Sequence, residues 1–360
     1  MPGAPDRPAS PRAGFCLSLL LCSVGAPGVG LAGEPSPTVV RARYLMGTIF
    51  RIEAAKTGSA SKTASALEAA LDEVGRLEDV LSNWRNQSEV SRLNAQAGEG
   101  AVPLSPSLFT AVSSSLFWAR ETGGAFDPTV EPLTRRFRNG QSLSLSHEPS
   151  AAGSPSVVGW NQIRLDAETR TVAMPTGVGL DMGGIGKGIA LDLAGRVLAQ
   201  HGVHDALLDA GGQLLALGSP PGEVGWTVTL ADPGDRQRPT YPLILSGVSL
   251  ATSGNSERPG EILDPTTGRP VDGRFSASAL ALDATSADAL STALFVMGPV
   301  RGEAWARPRS DLLALFLEPA GKADGLPRAS GTLRLAPTGH FLVITSRPRD
   351  GFRRLNVEIR

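Results

Sequence analysis

The stretch GVGLDMGGIGKGIALDLAGRVLAQ, residues 177–200, decides the fold class. Residues 177–181 read as a strand, Gly183, Gly184, Gly186 and Gly188 make a bend, and Ala190, Leu193, Val197 and Leu198 then recur at helical spacing. A doubly wound parallel sheet would repeat this unit, with one helix after every strand. Downstream it does not repeat. Residues 206–208, 213–217, 226–230, 243–245 and 276–282 are strand-like, and one helix, 286–297, follows before the strand-like 312–317 and 341–344. The class expected is therefore α+β, with mixed or antiparallel sheets and packed helices.

Upstream, β-branched Thr38, Val39, Val40, Thr48, Ile49 and Ile52 flank Met46-Gly47-Thr48, which predicts a hairpin turn. From Ser61 the period changes, and Leu67, Leu71, Val74, Leu77 and Leu81 form the stripe of an amphipathic helix ending near Asn83. A second helix starts with Ser105 as N-cap, buries Leu108, Val112 and Leu116, and stops at Gly123-Gly124. Residues 82–89 between them read as a polar loop carrying Trp84. Residues 139–156, rich in Ser, Pro, Gly and Ala, read as a flexible connection, followed by short strands at 163–165 and 171–174.

The composition narrows the function classes. Of 360 residues, 34 are Lys or Arg and 35 are Asp or Glu, a net charge of -1 with no basic footprint for a nucleic acid. The 42 glycines and 28 prolines lack a collagen period and point to many backbone-defined turns. Both cysteines, Cys16 and Cys22, lie within an apolar run over 14–32 that follows Arg7 and Arg12. With Leu17, Leu19, Leu20 and Leu21 at its centre and Gly30-Leu31-Ala32 at its end, residues 1–32 read as a secretory signal peptide. Gly25, Pro27, Gly28 and Gly30 interrupt the run short of the roughly 20 apolar residues of a spanning helix. A periplasmic or otherwise exported protein is expected, cysteine-free once processed, with residues 33–43 as linker, 44–347 as the functional domain and 348–360 as tail.

Three places could carry chemistry, one of them Thr122-Gly123-Gly124-Ala125-Phe126-Asp127-Pro128, a helix stop followed by an aromatic and an acid that also reads as a C-cap and loop with Phe126 in the core. Free amides at the helix start in 183–188, with Lys187 beside them, suit phosphate oxygens, although a structural turn accounts equally for the glycines; neither the P-loop nor the dinucleotide spacing is present. Asp288 and Thr292, at i and i+4, put a carboxylate and a hydroxyl on one helix face. That set suits Mg²⁺, or equally an acid complementing the helix dipole. His147, His201, His204 and His340 show no zinc-ligand spacing.

The order of motifs along the chain resembles the ApbE family. It runs Met46-Gly47-Thr48, Ser82-Asn83-Trp84-Arg85 through Asn94, Gly123-Gly124-Ala125-Phe126-Asp127-Pro128-Thr129-Val130, residues 180–188, Asp209-Ala210-Gly211-Gly212, Ala251-Thr252-Ser253-Gly254, Ile262-Leu263-Asp264-Pro265 and Ser286-Ala287-Asp288 through Ala293. The resemblance implies an exported, Mg²⁺-dependent FAD:protein FMN transferase, taking FAD as substrate, attaching FMN to a Ser or Thr hydroxyl of a partner flavoprotein and releasing AMP. The acceptor would belong to an exported or inner-membrane redox complex. It further implies that Met46, Trp84, Ala125, Phe126, Asp127, Asp181, Lys187 and Ile262 line the FAD site, and that Gly184, Asp288 and Thr292 hold the metal. Trp84 stands where many relatives have tyrosine. Where many relatives have histidine before the Ile-Leu-Asp-Pro block, this chain has Glu261, a carboxylate able to act as general base beside catalytic Asp288. The segment 255–260 is shorter than the usual hairpin there. Two other readings stay open: an Mg²⁺-dependent FAD pyrophosphatase, with water replacing the protein hydroxyl, and a non-catalytic exported FAD-binding protein.

Overall fold

The computed structural model describes residues 38–139, 158–319, 328–333 and 343–344. The expected signal peptide, the 139–156 connection beyond Asn139 and the C-terminal tail lie outside these residues. Strand β1 (Thr38–Leu45) turns through Met46 and Gly47 into β2 (Thr48–Ala55), with Leu45 opposite Thr48. Residues 38–43 of the expected linker are therefore strand, and the ordered domain starts earlier than the 44 read from sequence.

Helix α1 (Ala60–Leu81) is capped by Ser59 and buries the expected Leu and Val stripe. The polar loop then ends sooner than expected. Ser88 caps a short helix α2 (Glu89–Ala95), which buries only Val90 and Leu93, too few positions to reveal a helical period. Strand β3 (Ala101–Pro103) precedes α3 (Pro106–Glu121), whose N-cap is Ser105 as expected; Leu108 and Val112 are buried and Leu116 is half-buried. A 3-10 turn (Pro128–Val130) leads into α4 (Glu131–Arg138), and β4 (Arg164–Asp166) and β5 (Thr171–Ala173) join β3 in a small antiparallel sheet.

After α5 (Gly186–Gln200) come β6 (Ala206–Ala210), β7 (Leu214–Leu217), β8 (Trp226–Asp232), β9 (Asp235–Leu245), β10 (Val248–Gly254) and β11 (Ser276–Ala281). Helix α6 (Ala284–Ala306) breaks at Gly298, where φ is 72°, just before Pro299. Strands β12 (Asp311–Leu317), β13 (Arg328–Leu333) and β14 (Val343–Ile344) follow. β10 and β13 were not foreseen, and α6 starts ahead of the expected Ser286.

The large antiparallel sheet has the order β1-β2-β6-β7-β10-β11-β12-β13. Strands β11 and β12 alternate between two buried faces, which explains their unbroken apolar runs, whereas β1 and β2 at the edge expose Val40, Tyr44 and Ile49. Leu312, Ala314 and Phe316 join the core under α1, α5 and α6, whereas Leu313, Leu315 and Leu317 join a second core with Trp226, Val228 and Leu243 of the β8–β9 hairpin. The functional residues gather where the N-termini of α5 and α6 meet on the helical face.

Candidate active site

The segment before the glycine-rich bend is irregular, with a turn at Gly177, and is not a strand, contrary to the sequence reading of 177–181. Side chains take the place of a ladder. Asn83 and Asn94 each donate an amide hydrogen bond to the Leu180 carbonyl, at 2.7 and 2.9 Å. The Leu180 N–H donates to Asn94 Oδ1 at 2.7 Å, the Met182 N–H to Asn83 Oδ1 at 3.0 Å, and the Asp181 N–H to the Pro128 carbonyl at 2.7 Å. With its backbone groups met in this way, the segment needs no neighbouring strand.

Helix α5 starts without a side-chain cap, at Ile185. Gly188 is the third residue of α5, so its N–H is one of the amides at a helix start that have no carbonyl within the helix to bond. It donates instead to Asp288 Oδ2 at 2.9 Å, and the Gly184 carbonyl accepts no hydrogen bond among the described residues. The two helix starts touch here. A Cβ on Gly188 would stand 2.2 Å from the Ala284 carbonyl oxygen.

The Thr292 hydroxyl, one turn beyond Asp288 on α6, also makes no hydrogen bond among the described residues. A Cβ on Gly184 would lie 3.1 Å from Thr292 Oγ1 and 3.1 Å from Phe126 Cε2, so these groups are neighbours. A carbonyl, a carboxylate and a hydroxyl, the first and last without partners, form a hard-oxygen donor set that fits Mg²⁺. Among the described residues, no group of three or more His, Cys, Asp or Glu side chains could hold a metal. An ion here would rest on one carboxylate and leave positions for substrate oxygens.

Asp288 is 5 % exposed. Burial pushes its carboxyl above the usual carboxylate range, opposed by the Lys187 ammonium and by the Gly188 N–H. With its amide nitrogen turned toward the carboxylate, Gln213 donates to both Asp288 oxygens, at 3.2 and 3.3 Å. Asp192 of α5 holds the start of α6 from the other side, accepting from the N–H groups of Ala284 and Thr285 at 2.8 and 2.9 Å.

Met46 reaches the same cluster. Its φ of 52° is a left-handed conformation rare for a non-glycine residue, and its Cε lies 3.5 Å from the Cβ position of Gly186. Trp84 follows Asn83 and is largely exposed. Phe126 and Ala125 are buried against Gly184 and the core.

Other expected ligands are already committed within the fold. Asp127 is buried; its Oδ1 accepts from the Thr129 N–H and hydroxyl at 2.8 and 2.6 Å, and its Oδ2 from the Trp160 N–H at 3.2 Å. Its carboxyl, pushed up by burial, caps the Pro128–Val130 turn, so a direct side-chain contact with FAD is not what this geometry offers. Asp181 Oδ1 accepts from the Gly183 N–H at 2.8 Å, and its Oδ2 from Thr134 Oγ1 at 2.5 Å and Arg138 at 3.3 Å.

Glu261 sits in the loop before Ile262, exposed and paired with Arg258 at 3.1 Å. Arg258 reaches within 3.9 Å of the Cβ position of Gly47, and Gly260 lies against Phe137 of α4, so this loop borders the Met46 turn. Ile262 packs half-buried on the core. His201 bonds the Val197 carbonyl at 2.8 Å where α5 ends.

Sequence reasoning missed Asn83 and Asn94 as pins, Gln213 beside Asp288, and the α4 residues Glu131, Thr134 and Arg138. The last three lie at spacings of three and four, one face of a helix, and that period was the available signal. A separate open groove, lined in part by Phe117, Trp118, Asp192, Arg196, Leu217 and Leu282, includes none of the expected site residues.

A family model described as the ApbE family matches residues 46–316. An FAD:protein FMN transferase of Treponema pallidum (strain Nichols) is 33 % identical over 328 residues, covering 84 % of this chain and 90 % of the relative. Another, from Klebsiella pneumoniae (strain 342), is 26 % identical over 325 residues, covering 84 % and 91 %. Among solved structures, the ApbE protein of Thermotoga maritima superimposes with a TM-score of 0.69 at 27 % identity, covering 81 % of this chain and 97 % of that one. The flavin transferase ApbE from Vibrio cholerae shares the fold, with a TM-score of 0.67 at 24 % identity over 82 % and 97 % of the two chains.

Proposed function

The chain belongs to the ApbE family, and from that premise we propose that it is an exported FAD:protein FMN transferase that moves FMN from FAD to a Ser or Thr hydroxyl of a partner redox protein, with Mg²⁺ and with release of AMP. The observation carrying this reading is the convergence of Asp288, the unpartnered Gly184 carbonyl and the unpartnered Thr292 hydroxyl at the start of α5. Those groups would hold the ion, which when bound supplies Lewis-acid neutralisation of charge on the pyrophosphate. Lys187 adds a positive charge at the helix N-terminus, where phosphate oxygens are favoured. Met46 and Trp84 supply apolar and aromatic surface for the flavin and adenine rings, with Phe126 packed behind Gly184. Gly188 and Gln213 fix the Asp288 carboxylate.

The acceptor hydroxyl must lose a proton as its oxygen bonds to phosphorus and AMP departs. Glu261, exposed on the bordering loop, is the group we assign to take that proton. Because the same carboxylate faces solvent, water can compete with the acceptor, and the products would then be free FMN and AMP.

Purified protein is incubated with FAD, Mg²⁺ and an acceptor bearing a Ser/Thr flavinylation segment, and read by intact mass and nucleotide chromatography. The expected result is an acceptor heavier by one FMN, with AMP released. FMN and AMP without a labelled acceptor would instead establish the pyrophosphatase. FAD bound but unchanged would leave a binding protein only. Asp288→Asn keeps an acceptor for the Gly188 N–H and should lower metal-dependent turnover by about 100-fold or more, the range seen when one electrostatic contact to the reacting centre is removed; unchanged turnover would refute the assignment.

A further inference from the structure

Helix α4 brings a cation to the aromatic rim of the site. The Arg138 guanidinium carbon lies 5.1 Å from the centroid of the Trp84 ring. The same guanidinium meets Asp181 Oδ2 at 3.3 Å and Glu131 Oε1 at 3.6 Å. The Arg138 side chain is only 15 % exposed, whereas Trp84 is 69 % exposed. The charged group is therefore inside, held from two sides by carboxylates, and the indole lies outside it.

The carboxylates are themselves fixed. Asp181 Oδ2 also accepts from Thr134, and Glu131 is so enclosed that a Cβ on Gly179 would stand 2.6 Å from its Oε2. Burial pushes the Glu131 carboxyl up, against the pull of Arg135 and Arg138. An arginine held at both ends cannot follow the indole, so the indole takes its orientation from the arginine. Guanidinium-on-indole contact is attractive through the ring's negative face and gains strength when the cation is desolvated. Without it, Trp84 would sit in a loop whose neighbour Asn83 is pinned to Leu180 and Met182 but whose own ring is mostly in solvent.

We propose that Arg138 is a positioning residue: it backs one face of Trp84 so that the exposed indole surface is presented, already oriented, as a stacking platform for a flat ring of FAD. The proposal rests on the FAD reading above. It also accounts for Asp181, whose carboxylate is used to seat the arginine. A platform ordered before binding saves the entropy of ordering it on binding. Because the ring would stack alike in the ground state and the transition state, its loss should raise KM with little change in kcat.

The test uses the full chain labelled with 5-fluorotryptophan, FAD titrations read by flavin fluorescence, and the variants Arg138→Met, Arg138→Lys, Trp84→Ala and the Trp84→Ala/Arg138→Met pair. Trp84→Phe assigns the Trp84 fluorine resonance by its disappearance. Arg138→Met should shift that resonance in the ligand-free protein, weaken FAD binding by about 3- to 30-fold, and add no further loss in the Trp84→Ala background. Arg138→Lys, which keeps charge but not the planar fork, should recover part of the affinity, and it serves in place of Arg138→Met if that variant does not fold. Additive losses in the two backgrounds, or an unmoved Trp84 resonance, would overturn the proposal. Wild-type protein that leaves flavin fluorescence unchanged would refute the FAD reading and the platform with it. The ligand-free resonance would still decide whether Arg138 orients the ring.

Discussion

Gly188→Ala isolates the helix contact on which the proposed metal site depends. The added methyl would stand 2.2 Å from the Ala284 carbonyl oxygen, 2.7 Å from its carbon and 2.8 Å from Thr285 Cα, all backbone atoms that no rotamer change can move. Relief needs the two helix starts to part by about 1 Å. That motion is resisted, because Asp192 grips the Ala284 and Thr285 N–H groups and the Thr285 hydroxyl. Overpacking of this kind costs about 1–3 kcal/mol, and losing the Gly188 hydrogen bond to a charged carboxylate about 1.5–3 kcal/mol. Helix propensity returns at most about 1 kcal/mol. A net loss of about 2–4 kcal/mol is expected in urea unfolding followed by circular dichroism. Displacing Asp288 by that distance should also lower FAD turnover by about 100-fold under conditions where the variant is folded. Gly195→Ala in the same helix is the control. Its Cβ would meet the Leu215 Cδ2 atom at 3.2 Å, the end of a side chain that can turn, so it should stay within about 1 kcal/mol of wild type. A Gly188→Ala protein as stable and as active as that control would show that the helix contact does not set the site.

Two further outcomes test the frame around the site. Asn83→Ala and Asn94→Ala each strip hydrogen bonds from the largely buried 180–182 backbone and should each cost about 1–3 kcal/mol, with the double variant losing more than their sum because either asparagine alone still serves the Leu180 carbonyl; fully additive losses in denaturant titrations would contradict the shared-acceptor geometry. Asp192 has its carboxyl raised above 3.8 by burial, so its protonation favours the folded state: that contribution is complete below pH 3.8 and is lost as pH rises through the folded-state value. The unfolding free energy of wild type minus that of Asp192→Asn should therefore fall over that window and then level off, and a difference that grew with pH would reverse the sign assigned to burial.

What could be read in the sequence is local. The stripe from Leu67 to Leu81, the Ser105 cap and the Met46-Gly47 turn are each decided by residues a few positions apart, and each is found where it was expected. The α+β class followed from the run of strands between 206 and 282, and the sheet is antiparallel throughout. Asp288 and Thr292 stood out in the sequence because their spacing is a helical turn, whereas Gly184 entered as a metal ligand only through the family resemblance. Residues 177–181 misled because a backbone outside a helix has two ways of meeting its hydrogen bonds. A neighbouring strand is one; Asn83 and Asn94, 97 and 86 residues from Leu180, are the other, and no local pattern separates them.

The same distinction sorts the acids. Asp127, Asp181 and Asp288 look alike in the motif blocks, each beside glycines or a helix start. What separates them is how much of each carboxylate the fold has already used. Asp127 accepts from Thr129 and Trp160, and Asp181 from Gly183, Thr134 and Arg138, so both are spent on holding loops in place. Asp288 instead accepts the orphan Gly188 N–H at the start of α5, and Gly184, just ahead of that start, lies beside Thr292. One unsatisfied donor at a helix start thus anchors a carboxylate of the neighbouring helix. Gly188 permits that contact, since a Cβ there would stand 2.2 Å from the Ala284 carbonyl oxygen and force the two helix starts apart.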